Sequence, residues 1–192
     1  MKKIGLTGGI GSGKTYVSRV FESLGVPVFN TDNEAKKLLS NSEQLVQSLK
    51  DEFGNDIYDD YSLNNKKLAS IVFSDSEKLG KLNSLVHPLV KQQFLDWQEV
   101  QKSSYVIKES AILFESKSDN GLDAIICVTC PINLRIDRIK SRDGLSYFEI
   151  KNRIKNQISE EEKVNLSDHV IVNDEKDLLL TQIIKIHEIL IK

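Results

Sequence analysis

The sequence predicts an α/β fold: a parallel β-sheet core flanked by helices, with a helical insertion and a small lid. Three observations carry this expectation. Short apolar strands alternate with amphipathic helices at both ends of the chain, a run of helices alone fills the middle, and a glycine-rich turn joins the first strand to the first helix. The length of 192 residues suits one domain with a sizeable core. Hydrophobic residues at 40 % and charged residues at 28 % exclude a disordered chain. The formal net charge of -2 argues against a chain-wide footprint for nucleic acid or anionic lipid. No apolar run is long enough for a membrane span, and the start, Met1-Lys2-Lys3-Ile4-Gly5, has no signal-peptide core, so a cytoplasmic protein is expected.

The elements follow in order. Ile4–Thr7 reads as a short buried strand. The helix after it shows Val17, Val20, Phe21 and Leu24 on one face, and Gly25 stops it. Val26–Phe29 reads as a second strand, so strand, helix and strand form a βαβ unit whose strands are expected to be neighbours. Helix-type spacing recurs over 31–40, 42–53 and 66–73, with Gly54 placed to end the second of these. Ser74 and Glu77 form a capping-box pattern before a long helix over 75–101. Its stripe is Leu79, Leu82, Val86, Val90 and Trp97, and Pro88 predicts a kink. Strands return at Tyr105–Lys108, Ala124–Thr129 and Val170–Val172. Ser146 with Glu149 opens a helix to about Gln157, and a last helix carries Leu179, Ile183, Ile186 and Leu190. The expected core comprises 1–30, 103–141 and 166–192, with a helical insertion over 31–102 and a lid over 142–165.

Gly8-Gly9-Ile10-Gly11-Ser12-Gly13-Lys14-Thr15 fits G-x-x-x-x-G-K-[ST], with a strand before it and an amphipathic helix after it. Glycines let the backbone curl so that successive amides point at one phosphate and no side chain intrudes. The helix N-terminus adds partial positive charge. Lys14, expected to face solvent, would bridge β- and γ-phosphate oxygens, and the Thr15 hydroxyl would bind Mg²⁺. The core is therefore of P-loop NTPase type, with ATP or GTP as ligand. A GTPase is disfavoured: Asp51-Glu52-Phe53-Gly54 ends a helix, and Asn65-Lys66-Lys67-Leu68 lacks the guanine-reading aspartate.

Asp32 lies just past the second strand, at the edge where open α/β sheets bind ligands. It could accept the proton of an attacking hydroxyl. Equally, Asp32 or Thr31 could simply cap the next helix. Cys127 and Cys130 are three apart in a strand, hence on opposite faces, and read as core cysteines. Residues 135–155 carry seven cations against three anions. A solvated helix face is the usual source of such a run; a lid that clamps a triphosphate is the favoured reading, since a P-loop kinase needs cations that arrive on closure, with Arg142 best placed to meet the transferring phosphoryl group.

Six stretches, in order and spanning the chain, resemble dephospho-CoA kinases. Ile4-Gly5-Leu6-Thr7-Gly8-Gly9-Ile10-Gly11-Ser12-Gly13-Lys14-Thr15 is similar to their opening. Asn30-Thr31-Asp32-Asn33-Glu34-Ala35-Lys36 resembles D-A-D-x-x-A-[RK], and Leu85-Val86-His87-Pro88-Leu89-Val90 resembles L-x-H-P-L-[IV]. Ala111–Glu115, Ser141-Arg142-Asp143 with Arg153 and Gln157, and Ser167–Asn173 resemble the remaining signatures. The resemblance implies ATP-dependent phosphorylation of the ribose 3′-hydroxyl of dephospho-CoA, the last step of coenzyme A synthesis. It implies Lys14, Asp32 and Arg142 as catalytic residues. ATP contacts would come from Gly8, Gly9, Gly11, Ser12, Gly13, Lys14, Thr15 and Tyr16, and substrate contacts from Asp32, His87, Phe114 and Glu115. Thr15 would hold Mg²⁺, the region over 31–102 would bind substrate, and the enzyme would be a monomer or weak homo-oligomer. The chain departs from the pattern at Asn30, at Tyr16, at Ala111 and at Glu109, which stands where many members carry aspartate. Glu109 could be a carboxylate behind the magnesium ion or merely the end of a strand. Two other readings stay open: a different nucleoside or nucleotide kinase, and a regulator that hydrolyses ATP slowly.

Overall fold

The computed structural model describes residues 1–59, 62–72 and 75–192, which form two compact units: Met1–Asn30 with Val100–Lys192, and Thr31–Glu99. The first unit holds a five-stranded sheet of β1 (Lys2–Thr7), β2 (Val28–Asn30), β5 (Tyr105–Glu109), β6 (Ala124–Thr129) and β7 (His169–Val172). Every pairing is parallel, in the order β2-β5-β1-β6-β7.

β1 and β2 are therefore not neighbours, contrary to the expectation from the βαβ unit. β5 lies between them and pairs with both. Burial explains the order. All five residues of β5 are buried, whereas β2 has three residues and only Phe29 is buried. A fully inaccessible strand belongs inside a parallel sheet, and a short one makes a tolerable edge.

One face of the sheet packs against α1 (Lys14–Ser23) and α9 (Leu179–Leu190). Ile4 and Leu6 of β1, Ile107 of β5, Ile126 and Val128 of β6 and Ile171 of β7 meet Val17 and Phe21 of α1 and Ile183, Ile186 and Leu190 of α9. Leu24 falls at the end of α1, partly exposed, and Gly25 with φ of 81° turns the chain away. On the other face a Cβ on Gly5 would stand 2.8 Å from Leu113 and 2.9 Å from Leu122, so glycine admits this packing. Cys127 and Cys130 are buried free thiols, as expected. Burial, assisted by the charge of Glu160, pushes the Cys127 thiol up to about 11.

The unit continues with α6 (Ile132–Asp143), α7 (Tyr147–Lys155) and α8 (Glu160–Asn165). The Ser146–Glu149 capping box is present at α7. α8 has no counterpart in the sequence expectation. Its Lys163 is fully buried, donating 2.7 Å to Glu115 Oε1 and 2.9 Å to the Ala111 carbonyl.

The second unit is helical: α2 (Thr31–Asn41), α3 (Glu43–Phe53), a 3₁₀ turn over Asn55–Ile57, a two-stranded hairpin of β3 (Tyr58–Asp59) and β4 (Ser62–Leu63), α4 (Asn65–Val72) and α5 (Ser76–Glu99). Its buried residues include Leu38, Leu45, Leu49, Ile57, Leu68, Val86, Val90 and Phe94. Phe94 rather than Trp97 completes the α5 stripe, and α5 continues through Pro88. The Ser74 capping pattern lies outside the described residues. Asp75 accepts from the Glu77 and Lys78 amides at 3.0 and 3.2 Å and caps α5 instead.

Removing one partner of a buried ion pair strands the other. Lys163→Met should therefore destabilise the chain by about 3 kcal/mol, and Lys163→Met with Glu115→Gln should recover most of that. Urea denaturation of both variants checks this.

Candidate active site

The turn after β1 closes into a tight cradle. Gly8, Gly11 and Gly13 adopt φ of 147°, 80° and 100°, backbone that other residues enter only under strain. Space also demands glycine. An added Cβ would stand 2.3 Å from the Val128 carbonyl at Gly8, 2.2 Å from the Arg135 guanidinium at Gly9 and 2.2 Å from Asn173 Nδ2 at Gly13.

Lys14 opens α1 and is only 8 % exposed. Its Nζ donates 2.7 Å to the Gly8 carbonyl and 3.3 Å to the Gly9 carbonyl. The expected solvent-facing cation is instead folded over its own loop, because the outward carbonyls of that loop need donors. Asn173, just past β7, donates 2.8 Å to the Ser12 carbonyl. Thr7 Oγ1 and Ser12 Oγ are buried at the cradle without a hydrogen-bond partner in the structure. Such unsatisfied hydroxyls at a glycine-rich loop that opens a helix suit an oxygen-rich anion. Thr15 and Tyr16 are exposed on the first turn of α1.

At the carboxyl edge of the sheet, Glu109 is buried in register with Leu6 of β1 and Asn30 of β2. Its Oε2 accepts from Ser18 Oγ and from Asn30 Nδ2, both at 2.8 Å. Two departures from the family pattern thus touch each other. An amide beside this carboxylate donates, where a second acid would repel it. Asp32 is exposed in the first turn of α2, two residues beyond Asn30.

The four arginines of the basic run are paired with acids. Arg142, at the end of α6, holds Asp143 with Nε–Oδ1 of 2.7 Å and Nη2–Oδ2 of 2.9 Å. The Arg142 hydrogen bond holds the Asp143 carboxyl below the usual carboxylate range, with the charges of Arg142 and Arg153 adding to it. Arg138 donates to Glu175 and Asn173. Arg135 is buried against Glu160.

Of the residues expected to touch substrate, Glu115 lies in the first unit, where its Oε1 takes Lys163 and, at 3.1 Å, the Ile158 amide. Phe114 beside it is half-buried. His87 belongs to α5 in the other unit and is half-buried there. Gln157, Glu160 and Lys163 were not singled out by sequence as parts of the site. Only Gln157 carried a signal, through its place in the lid-like signature.

A parallel sheet with this cradle at its carboxyl edge defines a P-loop kinase. A family model described as dephospho-CoA kinase matches residues 2–178. A dephospho-CoA kinase of Bacteroides fragilis is 38 % identical over 185 residues, covering 96 % of this chain and 90 % of the relative. A crystal structure from Thermus thermophilus superposes with a TM-score of 0.88 at 31 % identity, over 98 % of this chain and 96 % of that one. The dephospho-CoA kinase of Campylobacter jejuni gives a TM-score of 0.70 at 25 % identity over the same shares. The chain belongs to the dephospho-CoA kinase family. Its function is that of an ATP-dependent dephospho-CoA kinase.

Gly9→Ala drives a methyl group into a buried guanidinium, and overpacking of this kind typically costs about 1–3 kcal/mol. ATP affinity should fall about tenfold. Gly80→Ala, where an added Cβ meets nothing within 4 Å, should leave it unchanged. Calorimetric titration of both variants with ATP checks the contrast.

Proposed function

We propose that this chain transfers the γ-phosphoryl group of ATP to the ribose 3′-hydroxyl of dephospho-CoA, with Lys14, Asp32 and Arg142 as its catalytic residues. The observation that carries the reading is the position of Lys14, whose Nζ is folded over a glycine loop that leaves no room for side chains. The triphosphate is received by amides of the Gly8–Thr15 loop other than those of Ile10 and Ser12, which Gln157 and the Gly9 carbonyl hold, and Lys14 exchanges its two carbonyls for phosphate oxygens. The acceptor hydroxyl attacks γ-phosphorus in line, the bond to the β–γ bridging oxygen breaks, and ADP departs. Asp32 orients the hydroxyl and takes its proton late in the transfer. Connectivity supports this role, since two residues of chain, about 7 Å at most, link Asp32 to Asn30 at the sheet edge. Arg142 leaves Asp143 to meet charge on the transferring group.

The donor set fits Mg²⁺. Among the described residues no group of three or more His, Cys, Asp or Glu side chains could hold a metal by itself. Mg²⁺ held mainly by substrate phosphates needs only one or two protein oxygens. Thr15 would supply its hydroxyl, with Glu109 behind it, anchored by Ser18 one turn further along α1. When bound, the ion would neutralise charge on the β- and γ-phosphates. His87, Phe114 and Glu115 are proposed to contact dephospho-CoA, the helical unit Thr31–Glu99 to bind it, and residues 142–165 to form the lid. A cytoplasmic monomer or weak homo-oligomer, without nucleic-acid or membrane partners, completes the proposal. No described helix is long and apolar enough to cross a membrane.

Asp32→Asn tests the base. The variant should fold, bind ATP normally and lose about 10²–10⁴ in kcat. Full activity would leave Asp32 as a first-turn acid that only complements the α2 dipole. Arg142→Lys should lower kcat more than it weakens ATP binding, because lysine lacks the planar fork. Steady-state kinetics beside ATP titration reads both.

A further inference from the structure

The apex of the cradle is Ile10, and both of its backbone groups are taken by side chains far along the sequence. Gln157 Oε1 accepts from the Ile10 amide at 2.9 Å, and Arg135 Nε donates to the Ile10 carbonyl at 2.9 Å. Each of these side chains is held in turn. Gln157 Nε2 donates 3.0 Å to the Ala111 carbonyl, which also receives Lys163. Arg135, 4 % exposed, gives Nη1 to Glu160 Oε2. Glu160 Oε1 accepts from the Cys130 amide at 2.8 Å and from the Thr129 hydroxyl at the end of β6. The guanidinium also fills the space beside Gly9, 2.2 Å from where a Cβ would stand.

We propose that Arg135 and Gln157 are positioning residues that grip the two successive peptides flanking Ile10 and preset the phosphate cradle, with Glu160 acting through Arg135. The physical case rests on preorganisation. A glycine-rich loop has many conformations, and ordering it when ATP arrives would cost binding free energy. The Gln157 bond fixes the plane of the Gly9–Ile10 peptide and the Arg135 bond that of the Ile10–Gly11 peptide, so two successive planes at the apex are set, and with the second the direction of the Gly11 N–H opposite the Ile10 carbonyl. Arginine suits the task because one planar group reaches a carbonyl and a carboxylate together. A lysine at the same place would offer one compact charge. The buried charge pair adds little net stability of this kind by itself, which makes positioning the better account of its place. Gln157 lies two residues past the end of α7, so the same grip ties that helix to the cradle.

The inference rests on ATP binding at the cradle, and a titration of the wild-type chain run alongside separates failure of that assignment from failure of the grip. Two variants test it. Arg135→Met with Glu160→Gln removes the pair without stranding a charge, and Gln157→Met removes the other hold with a neutral side chain. The double variant should weaken ATP binding about tenfold or more, the worth of a hydrogen bond made by a charged group, and Gln157→Met about fivefold, the worth of a neutral one. The KM for dephospho-CoA should stay within about twofold, and amide hydrogen exchange over residues 8–13 should accelerate. Arg135→Lys should keep the thermal midpoint near that of the wild type yet lose ATP affinity, since it retains the charge but not the fork. A lowered melting temperature with unchanged ATP affinity would make the network a structural brace and overturn the proposal. Equal weakening toward both substrates would overturn it too. If the double variant does not fold, Gln157→Met decides the matter by the same readings.

Discussion

A loop that turns its amides toward a phosphate must turn its carbonyls away from it, and each of those oxygens needs a donor. Much of the first unit answers this requirement around the cradle. The carbonyls of Gly8 and Gly9 take Lys14, that of Ile10 takes Arg135, and that of Ser12 takes Asn173. The donors come from α1, α6 and the end of β7, so three separate elements must be in place for one eight-residue turn to hold its shape. The same contacts explain the glycines, because Arg135 and Asn173 occupy the space where side chains on Gly9 and Gly13 would stand.

The sheet order serves the same edge. With β5 beside β1, the buried carboxylate of Glu109 stands next to the strand that feeds the cradle, and β2 brings Asn30 to it from the other side. Had β2 occupied that position, Glu109 would lie one strand further out. The short β2 then delivers the chain directly into α2, whose first turn carries Asp32.

The outline of this fold was legible because its signals are local. Periodicity placed α3 and α9 within a residue or two, and the Ser146 capping box was present as read. The eight-residue phosphate motif identified the cradle without help from the rest of the chain. What escaped was non-local. Strand order depends on which strand is most buried, and β5 hides Lys108 and Glu109 in a run that looks half-polar. Lys163 carried no sequence signal, and Arg135 only that of a basic run, because their partners, Glu115 and Glu160, lie 48 and 25 positions away. The charge surplus over 135–155 leaves out Glu160 and Glu175, which pair with Arg135 and Arg138 from outside that window.

The reach of these bonds along the chain bears on how the protein is made. The phosphate motif leaves a ribosome well before the strands that flank β1, which pair with it across more than a hundred positions, and Asn173 meets the loop across 161 positions. Parallel pairings at such separation form late, because the entropy of closing long loops must be met before any contact rewards it. A nascent chain therefore carries the nucleotide signature long before it has a nucleotide site. The intervening helical unit, with its local contacts, has everything it needs to collapse first while the sheet waits for its remaining strands.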